Sequence, residues 1–223
     1  RFAQTDAGRI EFATPGIHKT SSGVRPMRIL KNPWQTAGAG IVLALILNVL
    51  LGGGGGINGL QIVTWIHVVF GIMWIGLLYY FNFVQAPAVN IALADGEPGP
   101  AAIDKYVAPR ALLYFRWAAL LTWLTGLSAL AQLGGGIQGI VDAFLLRNGM
   151  AVIGMGSWLG TIMLFNVWVL IWPNQQKILG LIPATAEAVA QAKVTALNAS
   201  RINTLLSIPM LMAMTGYMHG LPF

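Results

Sequence analysis

Five long apolar segments constrain this chain more than any other feature of its sequence. Each is close to the roughly 20 residues that an α-helix needs to cross the hydrocarbon core of a bilayer. Backbone polar groups in lipid must find partners within their own segment, so these segments are expected to be helices. The pattern predicts an all-α integral membrane protein with about five transmembrane helices, numbered 1 to 5 here: residues 36–53, 59–85, 111–133, 150–172 and 200–219.

Composition supports the membrane class and excludes several others. Of the 223 residues, 56% are hydrophobic and only 9% are charged, whereas soluble domains carry about 25% charged residues. The chain contains no Cys, which excludes disulfides, thiolate metal sites and covalently attached c-type haem. Its net charge is +6, but the basic residues are scattered singly, so no nucleic-acid partner is predicted.

Lys and Arg also predict the orientation, because they are enriched in the cytoplasmic loops of membrane proteins. Residues 1–35 are predicted to be an extended cytoplasmic tail and residues 36–223 a transmembrane bundle in the inner membrane of a bacterium. A short surface helix is predicted over residues 184–198. With five crossings, the outer side holds Arg147. The cytoplasmic side holds Arg25, Arg28, Lys31, Lys105, Arg110, Arg116, Lys177, Lys193 and Arg201.

A short pattern in helix 2 recurs in helix 4, with every matched position 84 residues later. Helices 3 and 5 also correspond loosely, through an Arg near the start and a Thr-Gly pair further on. The pattern predicts that hairpins 2–3 and 4–5 are a duplicated unit in parallel orientation, the alternative being a chance match. The matched residues are Trp74, Gly76, Phe81 and Asn82 in helix 2 and Trp158, Gly160, Phe165 and Asn166 in helix 4.

Two histidines are the first candidate site. His67 lies in the outer part of helix 2 and His219 ends helix 5, so the predicted topology places both at the outer leaflet. An ionisable residue inside a membrane segment is costly and suggests a function. Two imidazoles on neighbouring helices can ligate a haem b. The alternative is that His67 hydrogen-bonds a neighbouring helix and that His219 is an interfacial residue.

A second candidate lies at the inner side, where polar residues gather near the helix ends. Arg110, Arg116, Arg201 and Asn166 could form a pocket for an anion or a quinone head group, because a guanidinium binds planar oxygens. The alternative is that the arginines fix the orientation while the asparagines bond between helices. No carboxylate lies inside a predicted crossing, which argues against a proton-coupled pump.

Several motifs resemble the urate oxidase N-terminal domain family, which includes the membrane part of a bacterial cytochrome-linked urate hydroxylase. The resemblance covers roughly residues 62–211 and is carried most specifically by His67-Val-Val-Phe-Gly-Ile-Met-Trp-Ile-Gly76 and Trp172-Pro-Asn-Gln-Gln-Lys177. It implies a membrane redox scaffold in which His67, Arg110, Arg116 and Asn166 are family positions. Unlike the urate hydroxylase, this chain has no Cys and so no Cys-x-x-Cys-His haem site. The resemblance does not imply urate chemistry, because many members of the family look like stand-alone membrane proteins of undefined role.

Together these observations predict a membrane subunit for electron transfer in a respiratory or photosynthetic complex. It would hold a haem b near the outer leaflet through His67 and His219, with other membrane subunits, a cytochrome c and the lipid bilayer as partners. One alternative is a cofactor-free structural subunit. Another is a urate hydroxylase-like oxidoreductase in which Arg110, Arg116 or Arg201 grips the substrate.

Overall fold

The computed structural model describes residues 28–52 and 56–222, and every regular element in these ranges is helical. The chain divides into two compact units, Arg1–Gly56 and Ile57–Phe223. A 3-10 turn at Arg28–Lys31 comes first. The elements that follow are α1 (Pro33–Leu51), α2 (Gly59–Tyr79), π1 (Tyr80–Gln85), α3 (Ala86–Asp95), π2 (Ile103–Val107), α4 (Ala108–Leu133), α5 (Ile137–Phe144), α6 (Ala151–Phe165), π3 (Asn166–Ile171), α7 (Trp172–Ile178) and α8 (Ala186–His219).

The first unit contains one long helix, α1. The Asn32 side chain caps it by accepting a hydrogen bond from the Trp34 N–H at 2.9 Å, and Pro33 occupies the first turn, where its missing N–H costs nothing. No residue of α1 is buried within the protein. Most of the predicted extended tail, residues 1–27, lies outside the described residues.

The predicted helices 2 and 4 end at residues 85 and 172, close to Pro87 and Pro173, but neither proline ends the helical run. Pro87 and Pro173 fall in the first turns of α3 and α7, each directly after a π-helical segment. A proline in a helix interior removes a hydrogen bond and clashes with the preceding turn. The π turn changes the hydrogen-bond register just before each proline, so the chain continues as helical runs over Gly59–Asp95 and Ala151–Ile178.

The surface helix predicted over residues 184–198 is not separate from predicted helix 5. Both belong to α8, a single helix of 34 residues that begins where the Thr185 hydroxyl accepts a hydrogen bond from the Ala188 N–H at 3.2 Å. The segment before Arg201 contains many alanines and no Gly or Pro, so nothing interrupts the helix. At 1.5 Å per residue α8 is about 51 Å long, well beyond the roughly 30 Å of a bilayer core.

Three helical runs are long and apolar enough to cross a membrane, which is compatible with a membrane location. They are Pro33–Leu51, Gly59–Asp95 and Ala151–Ile178, and a fourth is added if Ile103–Leu133 and Ile137–Phe144, bent by 106°, form one span. The five predicted crossings are thus not confirmed. α8 is not among these runs, and it carries polar residues such as Asn203 and Ser207 that are buried against other helices.

Two helix pairs organise the second unit: α2 packs along α4, and α6 packs along α8. Their shared core contains Trp74, Leu78, Phe115, Met163 and Val167, each at most 2% exposed. Both pairs begin with an α–π–α run that has an asparagine in its π segment and a proline in the following turn. The pairs correspond to the predicted hairpins 2–3 and 4–5, and their common origin by duplication stays a prediction.

The turn between these two halves contains α5, a short helix that sequence reasoning missed. α5 lies against the end of α4 because the backbones of Gly134 and Gly139 touch, which leaves no room for a Cβ atom on either residue. The buried Asp142 carboxylate then accepts hydrogen bonds from three side chains. The donors are Gln138 Nε2 at 2.8 Å, Arg147 Nε at 2.7 Å and Asn148 Nδ2 at 2.9 Å.

Candidate functional site

His67 lies on α2 with its ring against α4. Its Nδ1 is 2.8 Å from the backbone carbonyl oxygen of Thr122 and 3.3 Å from Thr125 Oγ1. A carbonyl oxygen only accepts hydrogen bonds, so Nδ1 carries the proton and donates it to Thr122. Nε2 then keeps its lone pair. A histidine that donates one ring N–H to a backbone carbonyl has the arrangement that proteins use to orient a metal ligand.

Gly126 allows this close approach of the His67 ring. A Cβ atom at position 126 would lie 3.1 Å from His67 Cε1 and 3.4 Å from Nδ1. Contacts of 3.1 Å are tighter than ordinary van der Waals packing, so any larger residue would press the imidazole away from Thr122. The Thr-Gly pair of helix 3 therefore positions the ring in two ways: the Thr125 hydroxyl lies close to Nδ1, and Gly126 has no side chain that would displace the imidazole.

A partly open cavity of about 50 Å³ is lined by His67 and by residues of α2, α4, α6 and α8. Its walls are almost entirely apolar, and Trp74 Nε1, one of its few polar neighbours, is buried with no hydrogen-bond partner among the described residues. Such a volume holds an ion or a few water molecules. The lining includes His67, Trp74, Trp123, Ser157, Met210 and Met214.

The residues around His67 do not fit a haem. Pockets for drug-sized ligands have volumes of about 300–1,000 Å³, several times that of the cavity beside His67. His219 is exposed at the last residue of α8 and does not line this cavity. Haem ligation by His67 and His219 stays a prediction, and it would require the helices around His67 to move apart.

The asparagines of the inner-side set bond between helices. Asn166 Nδ2 donates to Asn203 Oδ1 at 2.8 Å, and Asn203 Nδ2 donates to the Met163 carbonyl at 3.0 Å; both asparagines are buried. In the other half, Asn82 Nδ2 donates to Ser200 Oγ at 2.8 Å. These contacts agree with the alternative reading of the sequence, in which the asparagines pack helices together.

Arg116 has an aromatic partner within the bundle. Its guanidinium carbon lies 3.7 Å from the ring centroid of Trp172, a cation–π contact that lets a half-buried cation sit in an apolar environment. Arg110 and Arg201 are exposed, and none of the three arginines forms an ion pair among the described residues. An anion or quinone pocket formed by Arg110, Arg116, Arg201 and Asn166 stays a prediction.

Sequence reasoning missed three neighbours of these sites. Met210 and Met214 line the cavity beside His67, and Asn203 is the partner of Asn166. A signal existed for the two methionines, because residues four apart share one helix face. Asn203 is one of several polar residues in this part of the chain, with Arg201 and Thr204 close by, and nothing in the sequence pairs it with Asn166. No group of three or more His, Cys, Asp or Glu side chains arranged to hold a metal ion occurs among the described residues.

One comparison with known proteins gives a match. The Urate oxidase N-terminal family model matches residues 139–222, which include α6, π3, α7 and α8. The family resemblance is confirmed for this segment, whereas the motif that contains His67 lies outside it. No curated protein and no solved structure matches the chain.

Proposed function

Because residues 139–222 match the Urate oxidase N-terminal family, we propose that this chain is a membrane-embedded subunit for electron transfer within a larger complex. The observation that best supports the proposal is the environment of His67. This histidine is an ionisable residue inside the most apolar helical run, and its Nδ1 is held by the Thr122 carbonyl while Nε2 is left available. Ionisable residues in membrane segments are expensive and mark functional sites, and a pinned imidazole is prepared to bind a redox centre.

The arrangement in the membrane completes the proposal. The chain would cross the membrane five times, and its N-terminus would be cytoplasmic. α4 and α8 would be two of the crossings, with their buried polar groups facing other helices rather than lipid. His67 follows the start of α2 by two turns and would lie in the outer half of the bilayer. A cytochrome c at the outer surface and other membrane subunits are the proposed partners.

The test is the absorption spectrum and metal content of the purified chain, oxidised and reduced. We expect a redox-active centre that His67→Ala removes. A Soret band that both His67→Ala and His219→Ala abolish would support the haem b predicted from sequence, whereas a centre without a Soret band that depends on His67 alone would support a non-haem group. If the folded protein carries no redox-active centre, the electron-transfer proposal is wrong.

A cofactor-free structural subunit is the second candidate, and the polar contacts of the inner side favour it. Asn166 bonds to Asn203 and Arg116 stacks on Trp172, so both are engaged without any ligand. Removal of the chain should then lower the stability of the complex while the cofactor content of each remaining subunit stays the same. Loss of one redox centre per complex would contradict this alternative.

The proposed orientation predicts a labelling pattern for single-cysteine variants, which the absence of native Cys makes easy to read. Gln138 at the α5 turn and Glu187 at the start of α8 are both exposed. With the N-terminus inside, Gln138→Cys should react with a membrane-impermeant thiol reagent added to intact cells and Glu187→Cys should react only after lysis. The reverse pattern would show that the orientation is inverted, and reaction of both from outside would contradict five crossings.

A further inference from the structure

Three residues with metal-binding side chains line the cavity beside His67. His67 contributes an imidazole from α2, and Met210 and Met214 contribute thioethers from α8. The two methionines are four residues apart, so they project from one face of the helix, one turn above the other. Met210 is only 5% exposed, and Gly156 leaves room for Met214, whose Sδ would lie 3.4 Å from a Cβ atom there. The cavity measures about 50 Å³, so these three residues line one small space of a size that can hold an ion.

The donor set selects a particular class of metal ion. Thioether sulfur is a soft ligand, and soft ligands favour Cu(I) among the biological metals, while imidazole accepts copper as well. All three donors are neutral, so a divalent ion would bring two uncompensated charges into an apolar site. A monovalent ion brings one, and the Trp74 and Trp123 rings that line the cavity can stabilise it through their π faces.

His67 is already oriented for this role. The Thr122 carbonyl fixes the protonated nitrogen as Nδ1, which leaves Nε2 as the metal-binding atom. Gly126 keeps the ring in place because no side chain competes for its position. A bound copper ion would therefore require little rearrangement of the histidine, and only rotation of the two flexible methionine side chains.

We propose that the cavity beside His67 binds one Cu(I) ion through His67 Nε2 and the sulfur atoms of Met210 and Met214. The site rests on the lining of the cavity and goes beyond the proposed function, since the chain could bind copper whether or not it passes electrons to a partner. It would also explain why one histidine and two methionines line a space too small for a haem.

The test is Cu(I) binding by the purified full-length chain in detergent, measured under anaerobic conditions against a colorimetric Cu(I) chelator. We expect the protein to retain one Cu(I) per chain. Met210→Leu and Met214→Leu conserve side-chain volume, and each should weaken binding at least tenfold, as should His67→Ala. Met212→Leu is the matched control, because Met212 lies on the same helix, is 44% exposed and does not line the cavity; its affinity should equal that of the unmodified chain.

X-ray absorption at the copper edge of the unmodified protein keeps the proposal testable if a variant fails to fold. Sulfur and nitrogen neighbours around copper are expected; a shell of oxygen and nitrogen alone would overturn the site. Retention of no copper by folded protein, or equal binding by the Met210→Leu/Met214→Leu double variant, would also overturn it. A redox centre that depends on His67 but contains no copper would support the proposed function and reject the copper site. Copper binding without electron transfer in the complex would support the copper site and reject the proposed function.

Discussion

Gly154→Ala is expected to lower the free energy of unfolding by about 3 kcal/mol, at the upper end of the usual range for overpacking. The added methyl group would collide with the Ala143 carbonyl oxygen, and it would lie 2.8 Å from both the Ala143 carbonyl carbon and Leu146 Cδ2. The Leu146 side chain could rotate away from the added methyl group. The α5 backbone at Ala143 could move away only by disturbing the packing of α5 on α4. The effect is therefore expected to separate α5 from the start of α6.

Gly76→Ala is the matched control, because Gly76 also lies inside a helix but has no atom within 4 Å of the position of a Cβ. Alanine favours helix over glycine by about 1 kcal/mol, so Gly76→Ala should leave stability unchanged or raise it. The measurement is thermal unfolding of both variants in detergent, followed by tryptophan fluorescence. Equal melting temperatures for the two variants would show that the α5–α6 contact is not tight.

Asn203→Ala is expected to lower the free energy of unfolding by about 2 kcal/mol, since hydrogen bonds between membrane helices contribute up to about 1.7 kcal/mol and a buried donor would lose its acceptor. Asn203 is fully buried and links two elements: it accepts from Asn166 on π3 and donates to the Met163 carbonyl on α6. Its loss should loosen the pairing of α6 with α8.

A double-mutant cycle with Asn166→Ala assigns the role of Asn166. If it serves packing, the two substitutions together should cost less than the sum of the single ones, by about 1 kcal/mol. Asn198→Ala is the control, because Asn198 is exposed on the same helix and its side chain makes no hydrogen bond among the described residues. The predicted anion or quinone pocket would be favoured by a different result. In that case the two substitutions would have additive effects on stability, and Asn166→Ala, but not Asn203→Ala, would change the spectrum of a bound group.

The candidate site could be predicted from the sequence only in part. His67 stands out because an ionisable residue in an apolar run is visible without a structure, and the resemblance to the family pointed to the same residue. Its environment was not visible. The partner predicted for it, His219, is exposed at the end of α8, whereas Met210 and Met214 line the same cavity as His67. Methionine is common in apolar segments, so its sequence position does not distinguish a ligand from core packing.

The fold was predictable to the level of apolar helices but not to their ends. Pro87 and Pro173 are expected to stop helices, yet π1 and π3 carry the chain through them. The reason is local geometry that tertiary packing stabilises: each π segment contributes a buried asparagine, Asn82 or Asn166, that bonds to α8. A rule that considers only neighbouring residues cannot include a bond to a helix more than 30 residues away.

What the sequence determined by itself is the class of structure, because long runs without charge can satisfy their backbone groups in lipid only as helices. That argument needs no knowledge of neighbours. Tertiary structure alone decided the chemistry of the polar residues. Which nitrogen of His67 is free depends on the carbonyl of Thr122, 55 residues further along the chain. Whether Asn166 bonds to a ligand or to a helix likewise depends on Asn203. Polar groups buried in a bundle take whichever partner the packing brings within hydrogen-bond distance, and only the assembled helices specify that partner.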